Sequence, residues 1–100
     1  MSQYRLAQRV VAEVDEIALF TASRWGVDQS LRYVTALQRR FAWIAANPLL
    51  GHPRDDVRTG LRCFRQGSHL IFYLIEDPGV LIVGVPHASM DIGAYFEEPE

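Results

Sequence analysis

The chain has 100 residues, 49% of them apolar, enough to close one hydrophobic core and too few for two. Ten basic against twelve acidic side chains leave a formal charge of -2, which argues against a protein that holds nucleic acid chiefly by neutralising phosphates. The N-terminus carries no signal-peptide run, and the apolar stretches Leu70 to Ile75 and Val80 to Val85 are far too short to span a bilayer. A soluble cytoplasmic protein is therefore expected, with neither membrane association nor direct nucleic-acid binding.

In chain order, Tyr4 to Leu6 suits a short edge strand. From Gln8 onward, Val10, Val14, Ile17 and Thr21 recur at helical spacing while Arg9, Glu13, Asp15 and Glu16 fall largely elsewhere. That pattern predicts an amphipathic helix stopped by Gly26. Asp28 is placed to cap a second helix with the apolar stripe Leu31, Val34, Leu37, Phe41 and Ile44, and with Arg32, Arg39 and Arg40 toward solvent. Asn47-Pro48 ends it, because the residue before proline is pushed out of the helical region. So short a link between two long helices predicts an antiparallel hairpin, whose apolar area calls for a third layer.

A polar loop from Gly51 to Gly60 leads to strand-like runs at about Leu61 to Gln66, His69 to Glu76 and Val80 to Val85. Gly67-Ser68 and Asp77-Pro78-Gly79 are the turn signals between them. The expected fold class is α+β in two layers, an antiparallel helical hairpin packed on a small antiparallel sheet of three to four strands. Met90 to Phe96 suits either a short helix or a last strand. Glu97, Glu98 and Glu100 read as an acidic, frayed tail. With no repeat and no linker, residues 1–100 read as a single domain.

Every cation is arginine, a side chain suited to bidentate or stacked contacts. Between Val57 and Ile75 stand Arg58, Arg62, Arg65 and His69 without one carboxylate. Together with Arg54 and His87 they form the candidate working surface, since clustered exposed charge marks partners. Asp55, Asp56 and Asp91 are the acids placed to quench it. The lone Cys63 reads as a small buried hydrophobe that suits reducing surroundings. His52, His69 and His87 lack the spacing of a zinc site, so neither metal nor cofactor is expected. Trp25, Trp43, Phe41, Phe72 and Tyr73 read as core or near-core aromatics. Trp43 lies off the main stripe and has the alternative of presenting its indole to a partner helix.

Five segments follow one another in a distinctive order: Arg24-Trp25-Gly26, Asn47-Pro48-Leu49-Leu50-Gly51, Gly60-Leu61-Arg62, Gly67-Ser68-His69-Leu70-Ile71-Phe72-Tyr73, and Val85-Pro86-His87-Ala88-Ser89-Met90-Asp91. Across nearly the whole chain this succession resembles the ParE toxins of the RelE/ParE superfamily. The resemblance implies the toxin of a type II toxin-antitoxin pair, a growth inhibitor in hetero-oligomeric complex with a ParD-like antitoxin. It implies DNA gyrase as the target, inhibited by binding rather than by a catalytic cycle. Arg54, Arg58, Arg62, Arg65, His69, His87, Ser89, Asp91 and Trp43 are then the expected antitoxin- or target-binding residues, with guanidinium forks receiving antitoxin carboxylates. Two departures stand out: Gly84 where the resemblance leads one to expect arginine, and Pro86 where it leads one to expect leucine. The proline removes a ladder donor, so the strand must end, bulge or lie at an edge there. Both departures raise the further reading of an inert homologue kept as an antitoxin-binding module.

Relatives of the RelE kind cut messenger RNA on the ribosome, and this ranks as the runner-up. Such chemistry needs a base, an acid and cations on the phosphate. His87 as base or acid, Arg62 and Arg65 as clamps and Tyr95 as a stacking group are its nominees. The acidic balance and the lack of lysine fit it poorly.

Overall fold

Strand β1 (Tyr4–Leu6) leads into helices α1 (Gln8–Trp25) and α2 (Val27–Ala46) in a computed structural model that describes residues 3–97. Helix α1 buries Val10, Ile17 and Thr21, and α2 buries Leu37, Phe41, Ile44 and Ala45, spacings that keep each set on one face. Between them stands Gly26 alone, at φ 94°, a conformation open to glycine at little cost. Its N–H bonds Ala22 O at 3.0 Å and its C=O accepts from Ser30 N at 3.1 Å, so one residue ends α1 and starts α2.

This tight corner corrects three expectations. Gly26, not Asp28, holds the N-cap position, and no side chain caps the helix; Asp28 lies in the first turn, where its charge still favours the dipole. Ser30 takes the inward place, its Oγ donating to Ala18 O at 2.7 Å, and this turns Leu31 outward, 63% exposed. Trp25 at the same tip is 67% exposed and is no core residue.

A 3-10 turn (Pro48–Leu50) and a two-residue strand β2 (His52–Pro53) follow, then β3 (Leu61–Gln66), β4 (His69–Glu76), β5 (Gly79–Gly84) and helix α3 (Ile92–Glu97). The last three strands form the expected meander. The sheet order is β1-β5-β4-β3-β2, five strands rather than three or four, and it is mixed, because β1 runs parallel to β5 with Tyr4 opposite Val80. A parallel pair needs a long crossover rather than a turn, so no local signal announces it.

Strand alternation divides the sheet into two faces. Ile71, Tyr73, Val80 and Ile82 pack with Val10, Leu37, Phe41 and Ile44. On the other side Leu61, Cys63, Phe72 and Val83 form a second cluster, covered by Val57, Ile92 and Phe96. The register of β4 against β5 shifts between Phe72 and Tyr73, from Gly84 to Ile82, and this bulge turns Val85 back into the helix-side core. As the proline requires, β5 ends before Pro86, whose C=O accepts from Leu70 N at 2.9 Å. Met90 to Phe96 resolves as helix rather than strand, with Asp91 Oδ1 accepting from Ala94 N at 3.1 Å at its start. Glu97 closes α3 instead of opening a frayed tail; Glu98 and Glu100 lie outside the described residues. No helix among the described residues is long and apolar enough to cross a membrane.

Candidate interaction surfaces

The four arginines expected on one face are divided. Arg62 and Arg65 stand three apart on β3, an odd spacing that sends them to opposite sides. Arg62 pairs across the ladder with Tyr73 and donates from Nη2 to Leu49 O at 2.9 Å; its Nε is buried without a hydrogen-bond partner among the described residues. Arg65, opposite Leu70, donates to Gly67 O at 2.8 Å. Arg54 makes a two-pronged pair with Asp56 at 3.0 and 3.1 Å, as the quenching alternative anticipated, and hangs over the Phe72 ring. That pairing raises the Arg54 pKa and lowers that of Asp56. Arg58 is exposed, with no side-chain bond among the described residues.

A different basic surface forms where α2 passes β3. The Arg40 guanidinium lies 4.8 Å from the ring centres of both Trp43 and Phe64 and donates to Gln66 Oε1 at 2.9 Å. Trp43 is half-buried, its ring 5.0 Å from Phe64. Arg40, Trp43 and Gln66, with Leu31, Arg32, Thr35, Ala36 and Arg39, line a groove of about 710 Å³. Strand β2 pairs only with Arg62 and Cys63, so the outer edge of β3 from Phe64 to Gln66, beside the groove, carries no strand among the described residues. The signal was in the sequence: Arg32, Arg39 and Arg40 recur at seven and eight residues, which aligns cations on one helical face.

A second hollow, about 570 Å³, lies between α1 and the connection from β5 to α3. An isolated bridge joins His69 to His87 and sets their rings edge-on at 5.4 Å. Ser89 N donates to His87 Nδ1 at 3.1 Å, with Ser89 Oγ at 2.7 Å. A backbone N–H can only donate, so neutral His87 carries its proton on Nε2. The Tyr33 hydroxyl donates to Gln66 O at 3.0 Å and accepts from Ser68 N at 3.1 Å. Its proton thus used, the 2.7 Å contact with His69 Nδ1 takes a proton from the ring, leaving the lone pair on His69 Nε2. Burial, then the neighbouring His87, pushes the His69 pKa down.

Below the hollow, Glu13 accepts from Tyr95 Oη at 2.6 Å and Val85 N at 2.9 Å and faces Arg9 at 3.6 Å. Arg9 stacks 3.9 Å from the Tyr95 ring centre. Burial and the Glu13 carboxylate raise the Tyr95 pKa far above its ordinary value. Tyr95 is buried and offers no stacking face to a base. The nuclease nominees are therefore not assembled: His87 lines the hollow, Arg62 and Arg65 lie on opposite sides of the sheet, and no arginine lines the hollow beside the histidines. Among the described residues no three His, Cys, Asp or Glu side chains gather to hold a metal.

A helical hairpin on a five-stranded mixed sheet defines a small two-layer α+β protein. Residues 4–92 match the family described as ParE toxin of type II toxin-antitoxin system, parDE, and the chain belongs to that family. It is 38% identical over 96 residues to Toxin ParE1 of Caulobacter vibrioides, covering 96% of this chain and 99% of that one. It is 39% identical over 92 residues to Toxin ParE1 of Mycobacterium tuberculosis (strain CDC 1551 / Oshkosh), covering 91% and 94%. A solved chain from the chromosomal ParDE TA system of P. aeruginosa superposes with a TM-score of 0.74 over 87% of this chain and 96% of that one, at 15% identity, a likeness of fold.

Proposed function

We propose that the chain is a cytoplasmic growth inhibitor that works by binding: a ParD-like antitoxin keeps it silent, and when released it inhibits DNA gyrase without a catalytic cycle. Family membership supports the first half of this reading. The observation that carries it is the continuity of the Arg32, Arg39, Arg40 and Trp43 groove with the open edge of β3. An antitoxin segment that folds on binding gains from backbone pairing along such an edge and from apolar anchors beside it. Arginine forks above that edge suit carboxylates on the segment.

Of the residues expected to bind partners, Trp43 belongs to this groove, with Arg62 on the same side of β3. Arg54, Arg58 and Arg65, with α3 and Asp91 at its start, are assigned to the target. His69 and His87 line the hollow, and Ser89 holds His87 by its hydrogen bonds. The scattered nuclease set supports a non-enzymatic mode of action, and the buried reduced Cys63 suits the cytoplasm.

The test is induction without antitoxin, followed by assay of purified gyrase. Stabilised DNA breaks that the antitoxin suppresses are the expected result. Growth arrest with intact supercoiling and no cleavage complexes overturns the target. Messages cut during translation, with cutting lost in His87→Ala, would favour the RelE-like nuclease instead. Undisturbed growth would leave an antitoxin-binding module alone.

A further inference from the structure

The face of the hairpin turned away from the sheet carries no further layer among the described residues. Leu19 on α1 stands two residues from both Ile17 and Thr21, and Arg39 on α2 two residues from both Leu37 and Phe41. All four neighbours are buried, so at about 100° per residue Leu19 and Arg39 point away from the core. Steps of four residues keep to one side of a helix, which adds Val11 and Asp15 to the α1 row and Leu31 and Thr35 to the α2 row. All six are exposed, Leu19 at 73% more so than any other large apolar side chain among the described residues.

The two rows differ in charge. The ion pairs among the described residues are Arg5 with Glu76, Arg9 with Glu13 and Arg54 with Asp56, so Asp15 on α1 and Arg39 on α2 both stand uncompensated. Measured from the Gly26 corner at 1.5 Å per residue, Leu19 and Asp15 lie about 10 and 16 Å along α1, and Leu31 and Arg39 about 8 and 20 Å along α2. The leucines are thus nearly level, and the acid is level with the arginine to within the reach of its side chain.

A copy of this face, related by a two-fold axis parallel to the helices, lays α1 over α2 of the copy. Leu19 then meets Leu31 and Asp15 meets Arg39, each pair twice. With the axis across the helices instead, α1 lies on α1 and acid faces acid, which charge opposes. The face is therefore complementary to itself in one register. Its size also suits a dimer: helices of 18 and 20 residues, together about 20 Å across, give a plan of about 550 Å². The relief of the side chains raises this toward the roughly 800 Å² per partner of a standard interface.

We infer that the free chain forms a two-fold dimer through the outer faces of its hairpins, a four-helix layer held by the leucines and set in register by Asp15 and Arg39. The inference goes beyond the proposed function and does not depend on it. Leu31 and Arg39 also line the α2 groove, whereas Asp15 does not, so Asp15 separates self-association from the docking of an acidic segment.

Sedimentation equilibrium of the full chain, freed of any antitoxin, should show monomers giving way to dimers between about 1 and 100 μM. Asp15→Arg and Arg39→Glu should each weaken the dimer at least about tenfold, since each sets like charges together twice. Neither should move the melting midpoint, because both sites are exposed. Mixed in equal amounts, the two variants should form a heterodimer of nearly the unaltered affinity, every facing pair being again of opposite sign. A chain monomeric throughout this range, an undiminished dimer in either variant, or no heterodimer on mixing overturns the inference. A monomeric chain that loses antitoxin binding with Asp15→Arg would assign the face to the antitoxin and overturn it as well. Gyrase takes no part in the sedimentation, so failure here leaves the gyrase assay untouched, and failure there leaves this one.

Discussion

A methyl group added to Gly84 would stand 2.8 Å from Cε2 of Tyr95 and nearer still to its hydroxyl. The glycine that departs from the arginine suggested by the family resemblance is thus the residue over which α3 docks. Tyr95 fills the space and carries its hydroxyl to Glu13 on α1. Gly84→Ala is expected to cost about 1–3 kcal/mol through overpacking, seen as a fall of several degrees in melting temperature. Gly84→Arg, which supplies the missing cation, is expected to expel Tyr95 rather than add a binding group. Combining Gly84→Ala with Tyr95→Ala should cost less than the sum of the single losses; strict additivity would show that the two residues do not meet.

Acid should weaken the fold through His69. Folding holds its pKa below the ordinary 6.5, because burial and His87 oppose the charge, while Tyr33 faces it with a neutral hydroxyl. On acidification the unfolded chain takes up this proton first, so the contribution is full above about 6.5 and is lost as pH falls through the depressed value. The lowered carboxyls of Asp56 and Glu76 act in a more acidic window. Urea melts between pH 7.5 and 5 should show declining stability, and His69→Gln should flatten that slope. An unchanged slope in the variant would place its origin elsewhere.

Alkali should act in the reverse sense through tyrosine. Tyr33, Tyr73 and Tyr95 all have raised pKa values, burial being the first cause in each. Their stabilisation is complete below the unfolded value of about 10 and is lost as pH rises toward the folded ones. A loss of helical circular dichroism above about pH 10, accompanied by tyrosinate absorbance at 295 nm, is expected; titration of all tyrosines with the fold intact would contradict it.

Cys63 should be inert in the native protein. Burial pushes its thiol up to about 11, so at pH 8 only about one molecule in a thousand is thiolate. Reaction with a thiol reagent should be slow and should accelerate on adding denaturant. Rapid labelling of native protein would mean that the Phe72 and Arg54 side of the sheet opens readily.

The hydroxyl of Tyr73 ties the end of α2 to the sheet. It donates to Pro48 O at 2.7 Å and accepts from Gly51 N at 3.0 Å, joining the turn after α2 to the central strand. Tyr73→Phe leaves both backbone groups unsatisfied and should cost about 1–3 kcal/mol. Gly51→Ala places a methyl against the same hydroxyl and should be at least as harmful. Denaturant midpoints of the two variants measure this; a loss below about 0.5 kcal/mol would mean that water replaces the hydroxyl.

The helices and the meander were legible because each rests on local chemistry. Val10, Ile17, Leu37, Phe41 and Ile44 repeat at helical spacing, Gly26 and Pro48 mark ends, and Gly67-Ser68 and Asp77-Pro78-Gly79 mark turns. The pairing of β1 with β5 was not legible, since it joins residues far apart along the chain with no turn between them. The placing of the arginines on one face does not hold, for a reason readable in the sequence: Arg62 and Arg65 stand three apart on one strand, and a strand sends an odd spacing to opposite faces. Gly84 was read as a missing cation, because nothing in the one-dimensional pattern shows a tyrosine eleven residues onward folding back upon it. His69 and His87 meet only through the bridge that forms after β5 has bulged.

The position of β1 also bears on how the toxin comes into being. Its partner in the sheet, β5, is synthesised long after it, with both helices made in the interval. Until β5 has left the ribosome, the hairpin has no completed floor to rest on and its apolar stripes stay uncovered. The helix-side core is therefore completed only when translation of the chain is nearly finished.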